Sequence, residues 1–276
     1  MRKRFGSALR IGLSTTGAAV VHTSGWLQMR SAIVAETGDA KEAELSFPAG
    51  GVQQLGRLLK DAHCSRLPAR IVLDDGLVRC WMVTPPRNAQ SLADCQAAAR
   101  ARFQILFGDA LAGWHMAADW DARKPFMACA IPQGLLAALQ QLARERSLVL
   151  VEVAPQFVIA WNRWRAALQA DAWFGVLHRQ VLTFAVLTEH GINMTRALAL
   201  PEEALLNQLL VPEMLAREAL RLNVPMPTGI RLCGQIPAHW VMQKTGGMNF
   251  VRLDRLRPGP AALSAEAELA FTGMNP

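Results

Sequence analysis

The chain has 276 residues, of which 51% are hydrophobic and 18% charged, and its formal net charge is +7. These values exclude a disordered chain, and no apolar stretch reaches the roughly 20 residues of a membrane-spanning helix. The basic start at residues 1–13 lacks the sustained apolar core of a signal peptide, so none is expected. The five cysteines form no C-x-x-C pair, which predicts reduced thiols in a cytosolic protein.

Alternating strands and helices are predicted along the first 170 residues. Asp74, Asp75 and Gly76 read as a hairpin turn between two strands, and Pro85-Pro86 marks a boundary. The predicted strands cover 10–21, 25–36, 70–75, 77–83, 113–120, 125–131 and 148–153, and the predicted helices cover 49–63, 88–107, 133–145 and 156–168.

The pattern restarts at residue 171. A three-stranded meander over 171–200 precedes a helix over 201–222, which Pro212 is expected to break or kink. The strands 229–234 and 249–253 follow. Gly12 and Gly175 match at an offset of 163, and a second pair of turn glycines matches at 166. An internal duplication and a chance likeness of two meanders both explain this similarity.

A duplicated meander, each copy followed by helix and strand, resembles the actin-like ATPase fold. The run from FQILFG (103–108) through GWHMAADW (113–120) and PFMACAI (125–131) to LLAALQQLARERSLVLVEVAPQ (135–156) is similar to the pilus-assembly protein PilM and to the cytoplasmic domain of the type II secretion protein GspL. The resemblance implies an α/β, ribonuclease H-like duplicated fold. Its expected parts are a first lobe (1–84 plus 155–170), an inserted FtsA/PilM-type subdomain (85–154) and a second, shortened lobe (171–276).

The turn Ser14-Thr15-Thr16-Gly17 in IGLSTTGAAVV falls where that superfamily places its first phosphate loop. Small residues remain, but the carboxylate that organises Mg²⁺ is absent. The corresponding second turn (176–180) lacks both the acid and the glycine, and the adenine turn keeps Gly234 but has Gln235 after it. We therefore expect no catalysis and no required cofactor.

Weak ATP binding through Ser14, Thr15, Thr16, Gly17 and Gly234 stays open. The alternative hypothesis is an active ATPase or sugar-kinase-like enzyme. It needs an acid that reaches the cleft from elsewhere in the chain, and Asp171 is the nearest candidate by position.

Four tryptophans are either core anchors or a partner-binding surface: Trp114, Trp120, Trp161 and Trp164. The resemblance implies a cytoplasmic scaffold peripherally associated with a bacterial inner membrane. Its implied partners are a PilN-like or other inner-membrane assembly protein and the hexameric assembly ATPase. No metal is expected, because histidines and cysteines lack ligand spacing.

A basic nucleic-acid adaptor is a third hypothesis, suggested by the net charge of +7. The basic residues are scattered rather than arranged in a stripe with stacking aromatics. Nucleic-acid binding is therefore not expected.

Overall fold

A computed structural model describes residues 6–25, 30–37, 49–62, 64–108, 111–207, 209–242, 247–254 and 263–274. The elements of the first part, in chain order, are β1 (Ala8–Leu13), β2 (Ala18–Ser24), β3 (Arg30–Glu36), α1 (Ala49–Asp61), β4 (Pro68–Leu73), β5 (Arg79–Val83), α2 (Leu92–Phe107), β6 (Trp114–Ala118), β7 (Phe126–Pro132), α3 (Gln133–Glu145), β8 (Val149–Pro155) and α4 (Gln156–Trp164). Those of the second part are β9 (Trp173–His178), β10 (Val181–Thr188), β11 (Gly191–Ala199), α5 (Glu202–Leu206), α6 (Leu210–Leu222), β12 (Gly229–Gly234), α7 (Ala238–Met242), β13 (Asn249–Arg252) and α8 (Ala265–Phe271).

The first sheet has the strand order β3-β2-β1-β4-β8. Its first three strands form an antiparallel meander, and β4 and β8 extend it in parallel. Because side chains alternate along a strand, Leu9, Ile11 and Leu13 of β1 share one face, where they pack with apolar residues of α1 and α3. Arg10 and Gly12 face the other way, toward α8.

The inserted sheet has the order β5-β7-β6, all antiparallel, and packs against α2. Trp81 and Phe103 form the centre of this contact, with ring centroids 5.1 Å apart. Helix α2 starts at Leu92 rather than at 88, because Ser91 and Asp94 form a capping box that fixes its first turn.

The chain passes from the first sheet to the inserted sheet between β4 and β5. Strand β5 pairs with β7 in the inserted sheet, whereas β8 pairs with β4 in the first sheet. The hairpin expected at Asp74-Asp75 is therefore wrong, because the strands on either side of it belong to different sheets. A 3₁₀ turn over Asp75–Leu77 makes the connection. The limits 85–154 stay a prediction as domain boundaries.

The second sheet repeats the first one. Its order, β11-β10-β9-β12-β13, has the same antiparallel meander and the same two parallel additions. This identical topology confirms the internal duplication, and the second lobe, although shorter, has a five-stranded sheet. The lobes meet at an apolar cluster in which the rings of Phe157 and Phe174 lie 5.6 Å apart.

Two helical features differ from the sequence expectation. In place of the predicted helix 201–222 the structure has two helices, α5 ending at Leu206 and α6 beginning at Leu210, and Pro212 lies in the first turn of α6. Proline is tolerated there because the first-turn N–H groups have no intrahelical acceptor. Helix α8 belongs by sequence to the second lobe but packs on the first sheet. No helix in the described part of the chain is long and apolar enough to cross a membrane.

Candidate functional site

The first hairpin turn closes on itself through the Ser14 hydroxyl. Ser14 Oγ accepts hydrogen bonds from the backbone N–H groups of Thr16 (3.2 Å) and Gly17 (3.1 Å). Ser14 is buried, while Thr15 and Thr16 are exposed. The backbone donors expected to reach a phosphate therefore already have an acceptor within the turn.

The second hairpin turn follows His178, begins at Arg179 and lies beside the predicted adenine turn. The Arg179 backbone N–H donates to Gln235 Oε1 at 2.7 Å. Gly234 has φ +93°, and a Cβ there would lie 2.2 Å from the Leu177 carbonyl oxygen. Gly234 is thus required by the close approach of two strands, independently of any nucleotide.

An acidic side chain does reach this cleft, and it is Glu266 of α8. Its Oε1 lies 2.8 Å from Ser14 Oγ, 3.2 Å from Thr16 Oγ1 and 2.6 Å from Arg179 Nη2. Burial alone would raise the pKa of Glu266, but the hydrogen bonds from Arg179 and Ser14 outweigh it and hold the pKa below its usual range. Glu266 is therefore a stable anion.

Asp171, the acid proposed from sequence position, is exposed in the loop before β9. The sequence contains one local signal for α8, the cap residue Ser264, whose hydroxyl accepts from the Ala267 N–H at 3.1 Å. Nothing in that signal indicates that the helix returns to the first lobe.

Two further titratable groups are buried between the lobes. Burial raises the pKa of Asp75 to about 7. The hydrogen bond from the Phe157 N–H opposes this shift, and the charge of Asp74 adds to it. Burial also lowers the pKa of His178, against the attraction of Asp74 and Glu266. Neither imidazole nitrogen has a hydrogen-bond partner among the described residues. His178 is therefore neutral and contributes no positive charge to the cleft.

The cleft residues do not fit a magnesium–nucleoside triphosphate in this arrangement. The first turn has no carboxylate, and the Glu266 carboxylate that reaches it is already an acceptor for Ser14, Thr16 and Arg179. Within the described residues, no group of three or more His, Cys, Asp or Glu side chains could hold a metal ion.

A second concave site lies between the insert and the first lobe. This groove has a volume of about 430 Å³ and runs between β6 and β8, along the face of β7 opposite α2. Its apolar lining includes Ala117, Met127, Ile131, Leu150 and Val153. Both β6 and β8 are the last strands of their sheets in the described structure, so each presents an unpaired backbone edge to the groove.

The four predicted partner tryptophans lie outside this groove. Trp114 and Trp120 are half-buried on the α2 side of the inserted sheet, 5.7 Å from the rings of Phe103 and Phe126 respectively. Together with Arg100 they border a separate surface depression of about 560 Å³.

Trp161 and Trp164 of α4 are half-buried at the apolar cluster between the lobes. The Trp161 ring lies 6.1 Å from that of Phe174, and the guanidinium of Arg163 lies 4.9 Å from the Trp164 ring. The structure thus divides the four tryptophans between two clusters, and their role as a partner surface stays a prediction.

Two lobes of identical topology, with paired hairpin turns facing across a cleft, define the actin-like ATPase fold, as the sequence resemblance predicted. Among solved structures, the chain is similar to the PilM-PilN type IV pilus biogenesis complex, with a TM-score of 0.61, 15% identity, and coverage of 89% of this chain and 88% of that one. It is also similar to the cytoplasmic domain of EpsL, an inner membrane component of the type II secretion system of Vibrio cholerae (TM-score 0.58, 10% identity, 96% and 93% covered).

A third similar structure is a Bacteroides thetaiotaomicron protein with an actin-like ATPase fold (TM-score 0.58, 10% identity, 97% and 96% covered). No protein-family model and no curated protein sequence matches the chain. At these identities the likeness establishes the fold, in the form shared by PilM and EpsL.

Proposed function

We propose that the chain is a non-catalytic scaffold of a bacterial type IV pilus or type II secretion assembly platform, and that it binds a short cytoplasmic segment of a PilN-like inner-membrane protein. The observation that carries the proposal is the groove between β6 and β8. Structural similarity also supports the proposal, because one similar structure is a complex of PilM with PilN.

The groove suits an extended peptide. A strand edge offers a row of free N–H and C=O groups, and an added peptide strand satisfies them while its alternate side chains enter apolar pockets. Val151 of β8 is 52% exposed and lines the groove, so apolar surface is available there. A segment with alternating apolar residues matches this lining.

The polar rim adds a charge preference. Asp119 and Glu152 both lie at the groove, and Glu152 makes an ion pair of 3.6 Å with Arg70 across an exposed surface. An exposed pair of this kind contributes little to stability and is readily exchanged. A basic residue beside the apolar positions of the peptide is therefore favoured.

The absence of catalysis is part of the proposal. The Oε1 atom of Glu266 accepts hydrogen bonds from Ser14, Thr16 and Arg179, so this oxygen is not available to position Mg²⁺ or an attacking water. Cytoplasmic location with peripheral attachment to the inner membrane follows from binding such a partner. Contact with the hexameric assembly ATPase is proposed only from the resemblance to GspL.

The test is calorimetric titration of the full chain with synthetic peptides that cover the cytoplasmic segments of inner-membrane pilus and secretion proteins from the same bacterium. We expect one peptide to bind with micromolar affinity. Val151→Asp and Ala117→Trp, which place a charge or a bulky ring in the groove, should each weaken binding at least about tenfold.

The matched control is Leu206→Asp, which changes an apolar side chain that is 77% exposed on α5 of the second lobe. It should leave the affinity unchanged. Absence of binding by every peptide, or equal affinity in the groove variants and the control, would refute the proposal.

A further inference from the structure

A single carboxylate oxygen joins the two lobes at the predicted phosphate position. Glu266 Oε1 accepts from Ser14 and Thr16 of the first turn and from Arg179 of the second. Ser14 is fully buried and Glu266 is 3% exposed. Three donors from facing turns, converging on one oxygen, are the coordination that an anionic ligand oxygen would require.

The space around this oxygen is filled by the chain itself. A Cβ at Gly12 would lie 2.1 Å from the Glu266 carbonyl oxygen and 2.8 Å from the Ala270 nitrogen. A Cβ at Gly17 would lie 2.2 Å from Thr37 Oγ1 and 3.4 Å from Glu266 Cδ. The two glycines thus allow α8 to pack directly against β1 and the first turn.

Polar contacts with the first lobe hold α8 in this place. The Arg10 side chain donates to the Ala270 carbonyl at 2.8 Å and also to the Thr272 carbonyl. The Gln156 amide donates to the Thr272 hydroxyl at 3.2 Å. Because the helix is fixed at its carboxyl end, Glu266 is presented to Arg179 of the other lobe at a high local concentration.

We propose that Glu266 is a built-in anion that occupies the site between the two hairpin turns and excludes phosphate-bearing ligands. Removing its carboxylate is inferred to convert the turns into a binding site for inorganic phosphate and pyrophosphate. The proposal goes beyond the scaffold function, because it depends on the interlobe cleft and not on the groove between β6 and β8. Peptide binding at the groove can succeed or fail without affecting it.

The test is thermal unfolding of the wild type and of Glu266→Ala with and without about 10 mM pyrophosphate, at ionic strength matched with potassium chloride. For a dissociation constant of about 1 mM, the midpoint of Glu266→Ala should rise by about 3–5 °C. The wild type should rise by less than about 1 °C, because its tethered carboxylate holds the site.

Two controls distinguish a built site from a general salt effect. The double variant Glu266→Ala/Arg179→Ala lacks the guanidinium and should lose the response. Glu202→Ala removes an exposed carboxylate at the start of α5 that makes no ion pair among the described residues, so it frees no guanidinium and should respond like the wild type.

If Glu266→Ala does not fold, Glu266→Gln provides the test, because the amide keeps the volume but attracts Arg179 less. Pyrophosphate should stabilise it measurably more than the wild type. The proposal is overturned if neither variant responds more than the wild type, or if the double variant responds equally.

Discussion

Replacing Asp75 with asparagine should stabilise the protein increasingly as the pH rises. Burial is the main cause that raises the pKa of Asp75 from 3.8 to about 7, and its Oδ1 accepts the Phe157 N–H at 3.0 Å. The folded state therefore binds a proton that the unfolded state releases between these pH values. The contribution of Asp75 to the free energy of unfolding is fully present below pH 3.8 and is lost as the pH rises toward 7.

The loss corresponds to about three pKa units, or about 4 kcal/mol at neutral pH. The asparagine side chain would keep the acceptor for the Phe157 N–H but would carry no charge. The difference in unfolding free energy between Asp75→Asn and the wild type should thus grow by about 2 kcal/mol from pH 5 to pH 7. Above pH 8 it should become constant.

Urea unfolding at pH 5, 6, 7 and 8 measures this difference. Asp94→Asn is the matched control, because hydrogen bonds from the Gln90 and Ser91 backbone and from the Ser91 hydroxyl lower the pKa of this exposed acid. Its variant should instead lose stability relative to the wild type above the normal aspartate pKa. A constant difference for Asp75→Asn across the pH range would refute the reasoning.

Three further changes have defined outcomes. Gly12→Ala should displace α8, because its Cβ would lie 2.1 Å from the Glu266 carbonyl oxygen, and limited proteolysis should then remove the carboxyl-terminal residues faster than in the wild type. Cys80 and Cys129 face each other on β5 and β7, with their Sγ atoms 2.7 Å apart. Diamide should therefore accept the two thiol hydrogens, and the disulfide that forms should lower the protein mass by about 2 Da. The reaction should be slow, because the neighbouring thiol and burial raise the pKa of Cys80. Trp120→Ala should lower the free energy of unfolding by about 1–3 kcal/mol, because the ring is half-buried on the α2 side of the inserted sheet. It should not change the affinity of the groove for a peptide. Unchanged stability with lost peptide binding would identify Trp120 as a partner contact.

The sequence predicted the elements whose signals are local. Strands such as β1 and β9 are short apolar runs, and the matching positions of Gly12 and Gly175 within them already suggested the duplication. The resemblance to the actin-like fold depended on this repeat, and the two sheets of identical order confirm it.

The errors concern information that is not local. Asp74-Asp75-Gly76 has the composition of a turn whether the flanking strands pair with each other or belong to different sheets, so the sequence could not reveal the departure into the insert. Glu266 was missed for the same reason. It lies 252 residues from Ser14 along the chain, and only the folded lobes bring the two together.

The most direct test of the central claim is calorimetric titration of the purified full chain with ATP and Mg²⁺. The account predicts no measurable heat at millimolar nucleotide, because the Glu266 carboxylate already accepts from Ser14 and Arg179 between the two turns. Magnesium-dependent binding at micromolar ATP would contradict it and would make an active enzyme of the same fold the better description.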